Sequence, residues 1–92
     1  MFNVNVKGNT YKFSGEIDIY DLDEFHGILT KLSSKETILL DFRKVANMDT
    51  ATLQLLISFK KSLPRECRFK IVGFHPSLEK MLTISGLSRY LM

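Results

Sequence analysis

The stretch from residue 36 to residue 63 constrains the fold more than any other part of the chain. It begins with an almost continuously apolar run, residues 37–42, which is typical of a strand buried on both faces. After a short loop, apolar side chains between residues 53 and 63 cover an arc of roughly 200° on a helical wheel, wider than an ordinary amphipathic stripe. The stretch therefore predicts a buried strand followed by a helix that packs against a sheet and also contacts a second helix or a partner.

The rest of the chain completes the element order β-β-α-β-α-β-α. Apolar and polar residues alternate over residues 2–6, and Gly8-Asn9 predicts a two-residue hairpin turn before a second strand. A hairpin followed by helical crossovers predicts an α/β fold, with a mixed β-sheet and helices packed against it, in a single domain of residues 1–92. The predicted elements are strands near residues 2–6, 11–15, 37–42 and 68–73, and helices near residues 22–32, 50–63 and 76–85.

Composition and charge exclude several classes of function. No apolar run reaches the length of a membrane span, and the chain opens with a strand pattern rather than a signal peptide. With Cys67 as the single cysteine, we expect a reduced, cytoplasmic setting. Residues 1–42 carry 4 basic and 7 acidic side chains and residues 43–92 carry 9 and 3, without a basic helix or stripe. This pattern predicts no nucleic-acid binding, and favours a polarised surface that helps to select a protein partner.

The sequence predicts no catalytic residues, no metal site and no cofactor. His26 and His75 lack a second ligand at metal-site spacing, and no nucleophile–base pair or glycine-rich phosphate loop is present. Asp18, Asp41 and Asp49 would converge if their loops gathered at one sheet edge. We favour structural roles for all three over a direct role in binding: Asp49 as a helix cap, Asp41 at a strand end and Asp18 in a turn.

Three motifs resemble those of the STAS domain, the family of anti-sigma factor antagonists and of the C-terminal domains of sulfate transporters. In that family an apolar strand ends in Leu-Asp, and a helix then opens with Asp-Ser-Ser-Gly or Asp-Thr-Ala-Gly. Together the motifs cover nearly the whole chain in the family's order, so the resemblance implies the family's fold. They are Ile38-Leu39-Leu40-Asp41 with Met48-Asp49-Thr50-Ala51-Thr52-Leu53, Gly15-Glu16-Ile17-Asp18, and Phe69-Lys70-Ile71-Val72-Gly73 before a helix that ends near Ser85-Gly86-Leu87.

The resemblance also implies a site at the start of the central helix. The serine that partner kinases phosphorylate in the family is replaced here by Ala51, so the usual switch hydroxyl is missing. Thr50 is the possible phosphorylation site and should be open to solvent, whereas Thr52, in place of the family's glycine, should lie inside the apolar arc. The predicted partner-binding residues are Asp18, Asn47, Met48, Asp49, Thr50, Ala51 and Thr52.

Two functions are consistent with this pattern. The first is a non-enzymatic regulatory module of the anti-sigma factor antagonist type, which docks an anti-sigma factor, a histidine-kinase-like protein or another signalling protein through this turn. The alternative is an accessory subunit of a phospholipid-transport ABC system, which binds the ATPase through the same turn, with Thr50 central. An enzyme is disfavoured, because no nucleophile–base pair can be drawn.

Overall fold

The computed structural model describes residues 1–91, which form a four-stranded mixed sheet in the order β1-β2-β3-β4 with helices packed against it. Strands β1 and β2 are antiparallel, while β2, β3 and β4 run parallel, so that the helices between them are crossovers. The predicted fold class and element order are confirmed. The strands are β1 Phe2–Lys7, β2 Thr10–Ile17, β3 Thr37–Met48 and β4 Arg68–Phe74, and the helices are α1 Leu22–Leu32, α2 Thr50–Ser62, α3 Pro76–Ser85 and α4 Ser88–Leu91.

Two local signals place the chain reversals as predicted. Gly8 turns the β1–β2 hairpin with a φ of 61°, a left-handed conformation that glycine adopts without steric cost. Gly86 ends α3 with a φ of 77°, and the tail then folds into the short helix α4, whose Leu91 is buried. The tail thus packs against the core up to Leu91, and Met92 lies outside the described residues.

The hydrophobic core lies on one face of the sheet. Ile38, Leu40 and Phe42 of β3 are fully buried and belong to one cluster with apolar residues of α1, α2 and α3. Leu39 points to the opposite face and is only half-buried, between strand neighbours Thr10 and Lys70. The prediction that residues 37–42 are buried on both faces is therefore wrong, because side chains of a strand alternate between faces and the helices pack on one of them.

A row of phenylalanines holds the three parallel strands together inside this core. The ring of Phe42 stacks on Phe13 of β2 at a centroid distance of 5.0 Å and on Phe74 of β4 at 5.6 Å. Phe25 of α1 meets Phe13 edge-on at 5.5 Å. Such aromatic pairs add roughly 0.5–1.5 kcal/mol each beyond the area that they bury. The row thus ties α1 to the middle of the sheet.

Strand β3 is longer than predicted and changes the interpretation of Asp41. The strand continues to Met48, past an irregular register with both neighbouring strands. Asp41 consequently lies in the middle of the strand, not at its end. Its carboxylate accepts hydrogen bonds from the Arg43 backbone N–H at 3.0 Å, from Nε at 3.0 Å and from Nη2 at 2.8 Å. The Arg43 guanidinium holds the pKa of the Asp41 carboxyl below its usual value, which explains how a buried carboxylate remains charged.

The three tyrosines of the chain lie on three separate parts of the surface. Tyr11 lines a groove between β1 and α1, Tyr20 is exposed in the loop before α1, and Tyr90 lies in α4. The Tyr90 ring lies 5.4 Å from Lys61 Nζ and 5.1 Å from Arg89 Cζ. Among residues 1–91, no helix is both long enough and apolar enough to cross a membrane.

Candidate protein-docking site

The carboxyl ends of β2 and β3 lie side by side, whereas β4 ends beside Phe42, and a helical segment follows each strand. Ile17 at the end of β2 pairs with Met48 at the end of β3. On the other side, the Ser77 hydroxyl in the first turn of α3 donates to the Ala46 carbonyl of β3 at 3.4 Å. Because parallel strands direct their carboxyl ends to the same edge, three helical starts are brought together there. This edge is the candidate site.

Asp49 caps α2, as predicted. Its carboxylate accepts a hydrogen bond from the Thr52 backbone N–H at 2.9 Å and another from the Thr52 hydroxyl at 2.7 Å. The same hydroxyl lies 3.3 Å from the Ile17 carbonyl oxygen, so that one buried threonine joins the start of α2 to the end of β2. Burial of the Asp49 carboxyl acts to raise its pKa, but the hydrogen bonds from Thr52 and from the Ile19 backbone outweigh it and leave the pKa lowered.

Asp18 organises the neighbouring loop. Its carboxylate accepts the Tyr20 N–H at 2.9 Å, and its own N–H donates to the Asp21 carboxylate at 3.1 Å. The two aspartates form a reciprocal capping box around a single 3-10 turn, Ile19–Asp21, that leads into α1. The hydrogen bond from the Asp18 backbone lowers the pKa of Asp21. The interpretation of Asp18 as a turn residue is confirmed.

The predicted site residues separate into a surface group and a supporting group. Asn47 and Thr50 are exposed, and Asp18, Asp49 and Ala51 are half-buried. Met48 and Thr52 are 2% and 0% exposed, so their side chains do not form part of the surface. The expectation that Thr50 is open to solvent and Thr52 is not is confirmed, because Thr52 faces β2 and uses its hydroxyl inside the fold.

Sequence reasoning missed the two bulkiest residues of this surface. Ile19 and Tyr20 are 61% and 92% exposed, although they lie in the same capped turn as Asp18. The sequence signal that points to them is their position: two large apolar residues between Asp18 and Asp21, outside any strand or helix period that would direct them into the core. Exposed aromatic and aliphatic side chains next to a rigid turn are typical of protein–protein contacts.

The docking surface is defined here as Asp18, Ile19, Tyr20, Asn47, Asp49, Thr50 and Ala51. Its two carboxylates are already engaged as caps by backbone N–H groups. What it offers to a partner is therefore an amide, a hydroxyl, a methyl group and two large apolar side chains. Within residues 1–91, no group of three or more histidine, cysteine or carboxylate side chains is arranged to hold a metal ion.

Comparison with known proteins identifies the family. The profile of the STAS domain matches residues 1–91. Among solved structures, an anti-sigma factor antagonist from Mycobacterium paratuberculosis is similar at 18% identity, with a TM-score of 0.81 over 99% of this chain and 81% of that one. The Bacillus cell fate determinant SpoIIAA in its phosphorylated form has 20% identity and a TM-score of 0.68 over 100% of this chain and 89% of that one.

These structural similarities concern the fold, since the sequence identities are low. A search of curated protein sequences finds no significant match. The family profile, by contrast, spans nearly the whole length and includes all three motifs recognised in the sequence. The chain therefore belongs to the STAS domain family.

Proposed function

We propose that the chain is a non-enzymatic regulatory module that binds a signalling protein through the docking surface. The partner is a protein of the anti-sigma or histidine-kinase-like class, and the setting is the cytoplasm. One observation carries the proposal: Ile19 and Tyr20 are held in solvent by a capped turn beside the exposed start of α2. Leaving two such side chains in water is unfavourable by roughly 1.5–3 kcal/mol each relative to burial, and a partner that covers them recovers that energy.

The rigidity of the surface supports a docking role. Asp18 and Asp49 satisfy free N–H groups of two adjacent helical starts, and the Thr52 hydroxyl, which donates to Asp49, lies against the Ile17 carbonyl of β2. A surface that is already ordered loses little conformational entropy when a partner binds. Ile19 and Tyr20 then act as anchors and Thr50 as the polar contact beside them.

Thr50 serves this surface without modification. It is the first residue of α2, it is exposed, and its hydroxyl is within reach of a partner's carbonyl or carboxylate. Ala51, at the position that the family phosphorylates, has no hydroxyl. We infer that binding is regulated by the partner's own state or abundance and not by phosphate on this turn. Intact-mass analysis of protein from its native cell tests this point, and phosphate on Thr50 would show that the switch has moved by one residue.

The role in a phospholipid-transport ABC system is the weaker candidate. It rests on the Asp49-Thr50-Ala51 sequence alone, and the two similar proteins named above are described as anti-sigma factor antagonists, SpoIIAA in the structure of its unphosphorylated form. The two functions differ in the protein that is captured. An ABC ATPase, recovered from native cytoplasm with the tagged chain and identified by mass spectrometry, would replace the first function with the second.

The docking surface is tested by two substitutions, each with a matched control elsewhere. Thr50→Glu places a charge that a bound partner would bury without a counter-ion, which should weaken binding by about 2–4 kcal/mol. Tyr20→Ser removes the most exposed anchor, with an expected loss of about 2 kcal/mol. Thr83→Glu and Tyr90→Ser make the same chemical changes on α3 and α4, and should bind like the parent chain.

The measurement is the affinity of each variant for the captured partner, together with its thermal unfolding. Thr50→Glu should fold at least as well as the parent, because a negative charge in the first turn of a helix is favourable by roughly 0.3–1 kcal/mol. Parent-like binding by both Thr50→Glu and Tyr20→Ser would show that the partner docks elsewhere.

A further inference from the structure

Strand β1 leaves one side of its backbone unpaired at the edge of the sheet, where β2 is its neighbour. The phase of the β1–β2 ladder follows from one bond: the Glu16 N–H donates to the Met1 carbonyl at 3.1 Å. Hydrogen-bonded and non-hydrogen-bonded pairs alternate along an antiparallel ladder, and the next pair, Phe2 with Gly15, is non-hydrogen-bonded. The residues whose N–H and C=O groups point out of the sheet are therefore Phe2, Val4 and Val6.

An apolar groove lies beside this open edge. The side chains of Val4 and Val6 are 36% and 53% exposed, although they lie on the sheet face that packs against the helices. Together with Tyr11 of β2 and with Ile28 and Leu32 of α1 they line a groove of about 390 Å³. The groove and the free backbone groups are adjacent, so that an added strand would bury both at once.

The charged groups that line the groove are both cations. They are Lys31, in the last turn of α1, and Lys35, which follows that helix. Among the described residues, neither lysine forms an ion pair, and no carboxylate lines the groove. The site therefore combines a generic element, a strand edge, with a selective one, a pair of lysines.

We propose that the β1 edge accepts an extended segment of an acidic partner protein as a fifth strand of the sheet. Its backbone pairs with Val4 and Val6, its apolar side chains enter the groove, and its carboxylates reach Lys31 and Lys35. A second copy of the chain fits less well, because pairing through β1 would bring both lysine pairs together without a counter-charge. None of these residues belongs to the docking surface, so this contact is separate from the proposed regulatory one.

The probe is a capped synthetic peptide, Thr-Ile-Thr-Val-Thr-Glu-Thr-Glu, which presents two apolar residues and two carboxylates on one face of a strand. It is titrated into the ¹⁵N-labelled chain. We expect the largest amide shifts at Val4 and Val6. A peptide with Lys in place of both Glu should bind at least tenfold more weakly. A peptide N-methylated at the residues whose N–H groups face β1 loses those donors and places methyl groups against the strand edge, so it should produce no shift at these amides.

Variants of the chain separate the two elements of the site. Lys31→Glu with Lys35→Glu should weaken binding of the acidic peptide at least tenfold and strengthen binding of the lysine peptide. Lys61→Glu with Lys80→Glu changes the net charge by the same amount, and its affinity for the acidic peptide should stay within twofold of that of the parent chain. Val4→Pro removes one outward N–H without breaking a hydrogen bond to β2, and should weaken the binding of every peptide.

Equal binding of acidic and basic peptides, or absence of shifts at β1, overturns the proposal, and both results are obtained on the unmodified chain. Sedimentation provides the remaining outcome. A dimer that Val6→Lys converts to monomer would show that a second copy occupies the edge, which also overturns the proposal of an acidic partner.

Discussion

The hydroxyl of Thr52 should make a measurable contribution to stability through Asp49. The Asp49 carboxylate accepts both the backbone N–H and the hydroxyl of this buried threonine, at 2.9 and 2.7 Å. Loss of a helix cap costs about 1 kcal/mol, and a hydrogen bond to a charged group is worth about 1.5–3 kcal/mol. In Asp49→Ala the hydroxyl can turn to the Ile17 carbonyl at 3.3 Å, which offsets part of the loss.

The expected free-energy changes follow from these bonds. Asp49→Ala should lower the free energy of unfolding by about 2.5 kcal/mol and Thr52→Val by about 1.5 kcal/mol. Because the two residues share one bond, the double variant should lose about 2.5 kcal/mol, which gives a coupling energy of about 1.5 kcal/mol. For a domain of this length, each kcal/mol corresponds to a shift of about 4–8 °C in Tm.

Urea unfolding followed by far-ultraviolet circular dichroism measures these values, and the slope should not change between variants. The control pair is Asp49→Ala with Thr83→Val. These residues lie on separate helices, so their changes in unfolding free energy should be additive. The Asp49 pKa is lowered in the folded chain, so its stabilisation is present above the unfolded value of about 3.9 and is lost as the pH falls through the folded value. Additive effects for Asp49 and Thr52 at pH 7 would refute this reasoning.

Two further predictions concern the sheet. Arg43→Met should lower the urea midpoint at pH 7, because it removes the cation that lowers the pKa of Asp41. The difference from the parent chain should shrink as the pH falls through the folded pKa of Asp41, and urea midpoints against pH measure this. A Cβ on Gly15, at a φ of 94°, would lie 2.7 Å from the Met1 carbonyl oxygen, so Gly15→Ala should cost about 2 kcal/mol. The control is Gly27→Ala in α1, where the added methyl group meets open space and should raise the unfolding free energy by about 0.5–1 kcal/mol. A lower Tm for Gly27→Ala, or an unchanged Tm for Gly15→Ala, would contradict these expectations.

Sequence patterns predicted the fold correctly at positions where the residue type itself determines the local backbone conformation. Gly8-Asn9, Pro76 and Gly86 mark a hairpin, a helix start and a helix end, and the structure places all three there. The length of β3 was not predictable in this way. Its buried side chains Phe42, Val45 and Met48 are three residues apart, because irregular pairing with the neighbouring strands interrupts the alternation that identifies a strand.

The site was predictable as a location but not as a surface. The motif around Asp49 identified the start of α2, and the helical wheel separated exposed Thr50 from buried Thr52. Met48 and Thr52 were both predicted as partner-binding residues, but their side chains are buried and do not form part of the surface. Met48 is the last residue of β3, where the irregular pairing leaves no alternation that assigns its side chain to a face. Tyr20 was not recognised, because its exposure depends on the 3-10 turn that Asp18 and Asp21 cap before α1, and this reciprocal pair was not identified in the sequence.

The placement of the tyrosines gives the chain three built-in reporters. The sequence contains no tryptophan, so tyrosine dominates its near-ultraviolet absorption and intrinsic fluorescence. Tyr11 lies in the groove beside β1, Tyr20 on the docking surface, and Tyr90 between Lys61 and Arg89 on α4. Replacement of tyrosine by 3-fluorotyrosine would thus give three ¹⁹F resonances, each assigned to a different face. A ligand that shifts one resonance and not the others would be located on the molecule by a one-dimensional spectrum.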